Sequence, residues 1–122
     1  MQQRGIRGAT TIESDNKEYV LAATRELLEE ILRTNPTLQT RDIASAFFTV
    51  TDDIVSAFPA LAARQIGWDQ VPMMCAHEIP VSGSLPLCIR VLIHWNTDLA
   101  QRETKHVYLR EAVCLRPDLQ TT

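Results

Sequence analysis

The chain has 122 residues, of which 45% are hydrophobic and 22% are charged, values typical of a single folded domain over residues 1–122. Its 12 lysines and arginines against 15 aspartates and glutamates give a net charge of -3, which lacks the basic excess of a nucleic-acid-binding protein. No apolar run approaches the roughly 20 residues of a membrane span, and the N-terminus lacks the apolar stretch of a secretory signal. Three cysteines without a CxxC pair favour a reduced, cytoplasmic setting.

The first half of the chain predicts a strand, a long helix and a second strand. Residues 4–12 are rich in Thr and Ile and punctuated by glycine, which favours a strand. Residues 13–16 offer helix caps, and Asn35-Pro36 ends the helix that follows. Its apolar face is Val20, Ala23, Thr24, Leu27, Leu28, Ile31 and Leu32. Residues 43–51 predict a strand with Ala46, Phe48 and Val50 on its buried face.

The second half predicts short helical segments followed by three strands. Residues 57–66 favour a helical stretch or two, interrupted at Pro59 and stopped at Gly67. Strands are expected over 71–78, 87–95 and 105–109, with a loop between the first two.

The strand at 87–95 has the clearest alternation in the chain. Its odd positions are wholly apolar: Ile89, Val91, Ile93 and Trp95. Its even positions are mixed in character: Cys88, Arg90, Leu92 and His94. We expect the odd face to pack on the helix, whereas the even face fits a subunit contact or the rim of a pocket. About five strands and one long helix predict an α+β domain whose sheet has one face under the helix and the other against neighbouring chains.

Metal and nucleophile sites find little support in the residue pattern. Two candidate metal ligands, Cys75 and His77, flank Ala76, and His94 or His106 could be further ligands. Their spacing matches none of the usual zinc patterns, so no metal is expected. Cys75 with a distant histidine stays open as a nucleophile pair. No GxSxG elbow or phosphate-binding loop occurs in the sequence.

Two arginines inside predicted strands are more informative. Arg7 and Arg90 occupy positions where a charge is unfavourable unless it faces water or a partner. One interpretation is an exposed or interface salt bridge, which contributes little to stability. The other is a site for a small dicarboxylate beside Tyr108, because a guanidinium binds a carboxylate through two parallel hydrogen bonds. The residues alone leave both interpretations open.

Seven segments in order resemble the AroH-class chorismate mutases. They are RGIRGATT at 4–11, FPA at 58–60, GW at 67–68, VP at 71–72, CIRV at 88–91, HVYL at 106–109 and LRPDL at 115–119. The resemblance implies a ferredoxin-like α+β subunit with a mixed sheet, assembling as a homotrimeric pseudo-α/β barrel with active sites between subunits. It also implies the cofactor-free rearrangement of chorismate to prephenate in the shikimate pathway, toward phenylalanine and tyrosine.

The same resemblance implies roles for individual residues. Arg90 stabilises the negative charge that develops on the ether oxygen, and Arg7 holds a carboxylate. Tyr108 hydrogen-bonds the substrate, and Glu78 accepts from the ring hydroxyl. Further lining or rim positions are Phe58, Ala60, Arg64, Met73, Met74, Cys75, Ala76, His77 and Leu115. Because the reaction needs no acid or base, we expect no histidine to be essential for turnover.

Some positions depart from the family pattern, and other interpretations remain. Leu61 replaces a lysine found in a relative, His77 replaces a more usual uncharged residue, and the loop between Arg64 and Trp68 is shorter. These departures affect rim contacts rather than Arg90. The rival functions are a trimeric imine deaminase, a purely structural trimer and a non-catalytic trimer that binds small carboxylates. The intact set of site residues argues against lost activity.

Overall fold

A five-stranded mixed sheet forms the centre of the computed structural model, which describes residues 1–115. The strands are β1 (Gln2–Thr11), β2 (Ile43–Val50), β3 (Met73–His77), β4 (Cys88–Thr97) and β5 (Val107–Tyr108). Their order is β3-β2-β4-β1-β5. β4 pairs antiparallel with β1 and β2, whereas β3 and β5 add in parallel at the two edges. The expected sheet of about five strands is confirmed.

Two helices accompany the sheet, α1 (Lys17–Thr34) and the shorter α2 (Pro59–Gln65). The expectation of one long helix beside the sheet therefore left out α2, which lies within the helical stretch predicted over 57–66. The predicted interruption at Pro59 was also wrong, because Pro59 is the first residue of α2. Proline is favoured there, since its fixed φ fits the first turn and its missing N–H has no helical acceptor to lose. Gly67, at φ 97°, follows the end of α2 in the left-handed conformation that terminates helices.

The long helix α1 is fixed at both ends by asparagines. The Asn16 side chain accepts hydrogen bonds from the backbone N–H groups of Glu18 and Tyr19, as its position before the apolar face predicts. Asn35 is buried, and its side chain donates to the Ile31 and Lys105 carbonyls while accepting from the Lys105 N–H. The C-terminal end of α1 is thereby tied to the segment that leads into β5.

The main core lies between α1 and one face of the sheet. The odd positions of β4 are all buried there, as its alternation predicts. Leu21 is buried in addition to the predicted helix face, while Leu32 is only partly buried. Among residues 1–115, no helix is long and apolar enough to cross a membrane.

Several predicted boundaries shifted because of backbone conformation. Leu87 has a φ of 50°, which an extended strand does not allow, so β4 begins at Cys88. The predicted strand at 105–109 is reduced to the two residues of β5. A short 3-10 turn at Arg110–Cys114, which the sequence did not predict, follows it, and residues 116–122 lie outside the described part of the chain.

Candidate active site

The face of the sheet turned away from α1 carries the polar side chains of interest. Arg90 lies on this face near the start of β4, opposite Ala9 of β1 on one side and Thr49 of β2 on the other. Phe47, Leu92 and Met74 share this open face and are exposed despite their apolar side chains. From Arg90 onward, the even positions of β4 therefore form the mixed surface that their alternation predicts, whereas Cys88 is buried.

A cavity of about 340 Å³ opens on this face, and we call it the arginine cavity. It is lined by Arg7, Gly8, Phe47, Thr49, Arg90, Val91, Leu92, Tyr108 and Leu115. Its volume lies near the lower end of the roughly 300–1,000 Å³ of small-molecule sites. Two guanidinium groups and a phenol around one apolar-floored cavity form a donor set that fits a small carboxylate-bearing molecule.

Glu78 is joined to Arg90 at the edge of this cavity. One carboxylate oxygen of Glu78, Oε2, lies 2.9 Å from Arg90 Nε and accepts a 2.8 Å hydrogen bond from the Thr49 hydroxyl. Arg90 Nε is itself buried, and this contact falls outside hydrogen-bond geometry. The contact is thus an ion pair that holds Glu78 beside Arg90.

Arg7 and Tyr108 reach the cavity from β1 and β5. The Arg7 backbone N–H donates to His106 Nδ1 at 3.0 Å, and Ala9 pairs with Tyr108 across the two strands. Tyr108 and Leu115 pack against a small buried cluster of Ala9, Cys88 and Ala112. The strand register therefore brings residues about a hundred positions apart to the same cavity.

Cys88 lies on the same face of β4 as Arg90 and is fully buried. Burial raises the pKa of its thiol to about 11, although the nearby positive charge of Arg90 acts in the opposite direction. The thiol is therefore neutral near pH 7 and does not offset the charge of Arg90.

A second cavity, of about 420 Å³, lies toward the β3 edge, and we call it the apolar cavity. Its lining includes four of the predicted substrate-binding residues, Phe58, Cys75, Ala76 and His77. The segment between β2 and α2 forms much of the remaining wall. The candidate residues are thus divided between two cavities of one chain rather than gathered in one.

Four other predicted substrate-binding residues line neither cavity. Ala60 is buried in the main core, and Met73 packs against that core. Arg64 is exposed on α2, and Met74 is exposed on the open face. Within a single chain, these side chains are not brought to the arginine cavity.

The three histidines each have a structural partner. His77 Nε2 lies 2.9 Å from the Ile54 carbonyl, and His94 Nδ1 lies 3.0 Å from the Ser45 hydroxyl. His106 Nδ1 accepts from the Arg7 backbone, as described above. Within residues 1–115, no group of three or more His, Cys, Asp or Glu side chains is placed to hold a metal ion.

Sequence reasoning missed two polar residues: Thr49, which lines the arginine cavity, and Asp53, which binds the backbone just before β4. Thr49 orients Glu78, and it could have been found because it alternates with Phe47 on the face of β2 opposite the predicted core. Asp53, beyond the end of β2, binds the segment just before β4. No local signal in the sequence reveals that long-range contact.

The comparison with protein families agrees with this geometry. Residues 3–119 match the family model described as chorismate mutase type I. The chain belongs to the type I chorismate mutase family. The family identified from the seven sequence segments is therefore confirmed, and its match covers nearly the whole chain.

Named relatives support the same family. A protein named chorismate mutase AroH from Thermus thermophilus is 57% identical over 118 residues, which cover 97% of each chain. Another of that name, from Bacillus subtilis (strain 168), is 45% identical over 123 residues, covering 100% of this chain and 96% of the relative. A solved structure described as a chorismate mutase from Clostridium thermocellum matches with a TM-score of 0.88 and 47% identity, covering 90% of this chain and 97% of that one.

Proposed function

We propose that this chain is a chorismate mutase, an isomerase that rearranges chorismate to prephenate in aromatic amino acid biosynthesis. The observation that carries the proposal is the arginine cavity: a member of this family places Arg7, Arg90 and Tyr108 around one space, with Glu78 fixed at its edge. The donor set fits a substrate with two carboxylates. The reaction is unimolecular and of the Claisen type, so the ether C–O bond breaks as a new C–C bond forms.

Arg90 is the main catalytic residue in this proposal. Negative charge grows on the ether oxygen as the C–O bond breaks, and a fixed cation there stabilises the transition state more than the ground state. Arg90 is suited to the role because its strand is paired on both sides and its ion pair with Glu78 holds the guanidinium at the arginine cavity. A donor that is already in place needs no reorganisation during the reaction.

The other polar residues bind and orient the substrate. Arg7 holds a carboxylate, and Tyr108 donates a hydrogen bond to the same molecule. Glu78 accepts from the ring hydroxyl, and the hydrogen bond from Thr49 and the ion pair with Arg90 keep its carboxylate in place. Selecting the folded, diaxial conformer of chorismate provides the remaining acceleration, because it removes conformational freedom before the chemical step.

We further propose that the active site is completed between subunits of a homotrimer. The apolar cavity and the arginine cavity hold different parts of the predicted residue set within one chain. The exposed apolar side chains Phe47, Met74 and Leu92 on the open sheet face favour coverage by another chain. A trimeric pseudo-α/β barrel of ferredoxin-like single-domain subunits would bring the two cavity types together across each boundary.

In this arrangement the apolar cavity supplies the second wall of the site. Phe58, Cys75, Ala76 and His77 then face the substrate from the neighbouring chain, while Ala60, Arg64, Met73, Met74 and Leu115 frame the rim. We place the enzyme in the cytoplasm, where the free thiols of Cys75, Cys88 and Cys114 fit a reducing environment.

Turnover of chorismate by the purified chain tests the function. Loss of the ultraviolet absorbance of chorismate is followed together with identification of the product by NMR. Rapid conversion to prephenate, without added metal or cofactor, is the expected result. A folded chain that binds prephenate without converting chorismate would instead be a carboxylate-binding trimer.

Subunit complementation tests the shared site. Arg90→Ala impairs the arginine cavity, whereas Phe58→Asp places a charge in the apolar cavity on a side chain that is 69% exposed and therefore tolerant of change. Each variant alone should be nearly inactive. Co-refolded mixtures should regain activity, since some boundaries then combine an intact Arg90 with an intact Phe58. A mixture as inactive as its components would contradict a site shared between chains.

A further inference from the structure

A set of four hydrogen-bonded residues lies just before Arg90, and we call it the Asp53 clasp: Thr51, Asp53, Leu87 and Cys88. The Asp53 carboxylate accepts from the Leu87 N–H at 3.0 Å (Oδ2) and 3.2 Å (Oδ1), and from the Thr51 hydroxyl at 2.5 Å. The Thr51 Oγ1 in turn accepts from the Cys88 N–H at 3.0 Å. One exposed carboxylate thus organises the turn that leads into β4.

The clasp helps satisfy every backbone polar group at the start of β4. The Cys88 carbonyl accepts from the Thr51 N–H at 3.1 Å, and the Leu87 carbonyl accepts from the Ile12 N–H at 3.0 Å. With the two N–H groups bound by Asp53 and Thr51, residues 87 and 88 have all four backbone groups paired. Such complete pairing fixes the position of the chain there.

Leu87 makes this fixation necessary. Its φ of 50° lies in the left-handed region, where a residue with a branched apolar side chain is strained. A strained conformation persists only when its surroundings determine it. The Asp53 carboxylate, which receives the Leu87 N–H, is the group placed to do so.

The position of Arg90 depends on this start of β4. Arg90 follows Cys88 by two residues and lies on the same face of the strand, and burial of Cys88 beside Ala9 and Ala112 restricts lateral movement. Beyond the clasp, β2 also contacts Arg90 through Thr49 and Glu78. The end of β2 and the segment that follows it therefore constrain β4 both at position 90 and at residues 87 and 88, just before it.

We propose that Asp53 is a positioning residue for Arg90, which through Thr51 and Leu87 sets where β4 begins and hence where the Arg90 guanidinium lies in the arginine cavity. The inference rests on the proposed function, because its readout is turnover of chorismate. It makes Asp53 important for the rate although it does not line the arginine cavity.

The test compares Asp53→Ala with Asp52→Ala, which removes the same charge from the exposed neighbouring position. Asp53→Ala should lower kcat roughly 10- to 100-fold, since a displacement near 1 Å can cost that much, with a much smaller change in KM. Asp52→Ala should keep the parent kcat. Thermal unfolding of each variant establishes that it is folded at the assay temperature; if Asp53→Ala is not, Asp53→Asn and Thr51→Val replace it.

An Arg90→Lys background separates positioning of Arg90 from a general effect on the fold. Lysine keeps the charge but is a flexible point charge whose placement depends less on the strand. The Asp53 substitution should therefore cost a smaller factor in kcat in this background than in the parent. Equal factors in both backgrounds, or equal kcat for Asp53→Ala and Asp52→Ala, would overturn the inference. A parent chain that does not convert chorismate would instead refute the proposed function.

Discussion

A side chain at Gly8 would crowd three core side chains, and replacing the glycine with alanine should destabilise the fold by about 1–2 kcal/mol. A Cβ at this position would lie 2.9 Å from Ile31 Cδ1, 3.2 Å from Leu27 Cδ1 and 3.2 Å from Val91 Cγ1. Carbon atoms in ordinary contact are about 3.5–4.0 Å apart. Overpacking a core costs roughly 1–3 kcal/mol. The reduced freedom of the unfolded chain offsets up to about 1 kcal/mol of that cost.

Urea unfolding at one fixed protein concentration measures this effect, since concentration affects the apparent stability of an oligomer. Gly5→Ala is the matched control on the same strand, because its Cβ would meet Leu92 Cδ1 at 3.7 Å, an ordinary contact. It should change the free energy of unfolding by less than about 0.5 kcal/mol or stabilise slightly.

A second substitution tests whether the crowding has the stated cause. Ile31→Val removes the Cδ1 atom nearest to the new methyl group and costs about 0.5–1.5 kcal/mol on its own. In the Gly8→Ala background it should cost less, or restore stability. The reasoning would be refuted by equal stability of Gly8→Ala and Gly5→Ala, or by an Ile31→Val cost that is the same in both backgrounds.

Three further predictions concern titration and exposure. Hydrogen bonds from the Ser56 side chain and from the Val55 and Ser56 backbones lower the pKa of Asp15 below 3.8. The ionised Asp15 therefore stabilises the fold above pH 3.8, and this stabilisation is lost as the pH falls through the lowered pKa. Thermal unfolding across acidic pH should show the gap between the parent and Asp15→Asn shrinking, and a constant gap would contradict this. The raised pKa of Cys88 predicts that the protein loses stability from pH 9.0 toward about 11, because the thiol ionises in the unfolded chain at a lower pH than in the folded chain. Cys88→Ala should lose less stability over that range. Mass spectrometry after brief treatment with a thiol reagent should find Cys114 modified and Cys88 protected, and rapid modification of Cys88 in the folded protein would disprove its burial.

Burial patterns explain which parts of the fold were predictable. The helix α1 and strand β4 were predicted with ends within one or two residues, because each has one buried face and a regular period. The two-residue β5 and the turn after it depend on pairing with β1, more than ninety positions earlier. The left-handed conformation of Leu87 likewise comes from tertiary contacts, which no local pattern indicates.

The residues of the candidate site were predictable, but the hydrogen bonds that hold them in place were not. Motif resemblance named Arg7, Arg90 and Tyr108, and the strand register brings all three to one cavity. Their catalytic and binding roles remain predictions. Alternation along β2 indicates that Thr49 faces away from the core, but its contact with Glu78 and that of Asp53 with Leu87 could not be derived, because they span 29 and 34 positions of the chain.

The kcat of Arg90→Ala for chorismate, measured beside Arg102→Ala as an exposed arginine control, tests the central claim most directly. Removing one preorganised donor typically lowers kcat by about 10²–10³-fold, and loss of a charged donor should cost at least that much. The control should keep the parent rate. A folded Arg90→Ala variant that turns over chorismate within a few-fold of the parent would contradict electrostatic catalysis by Arg90.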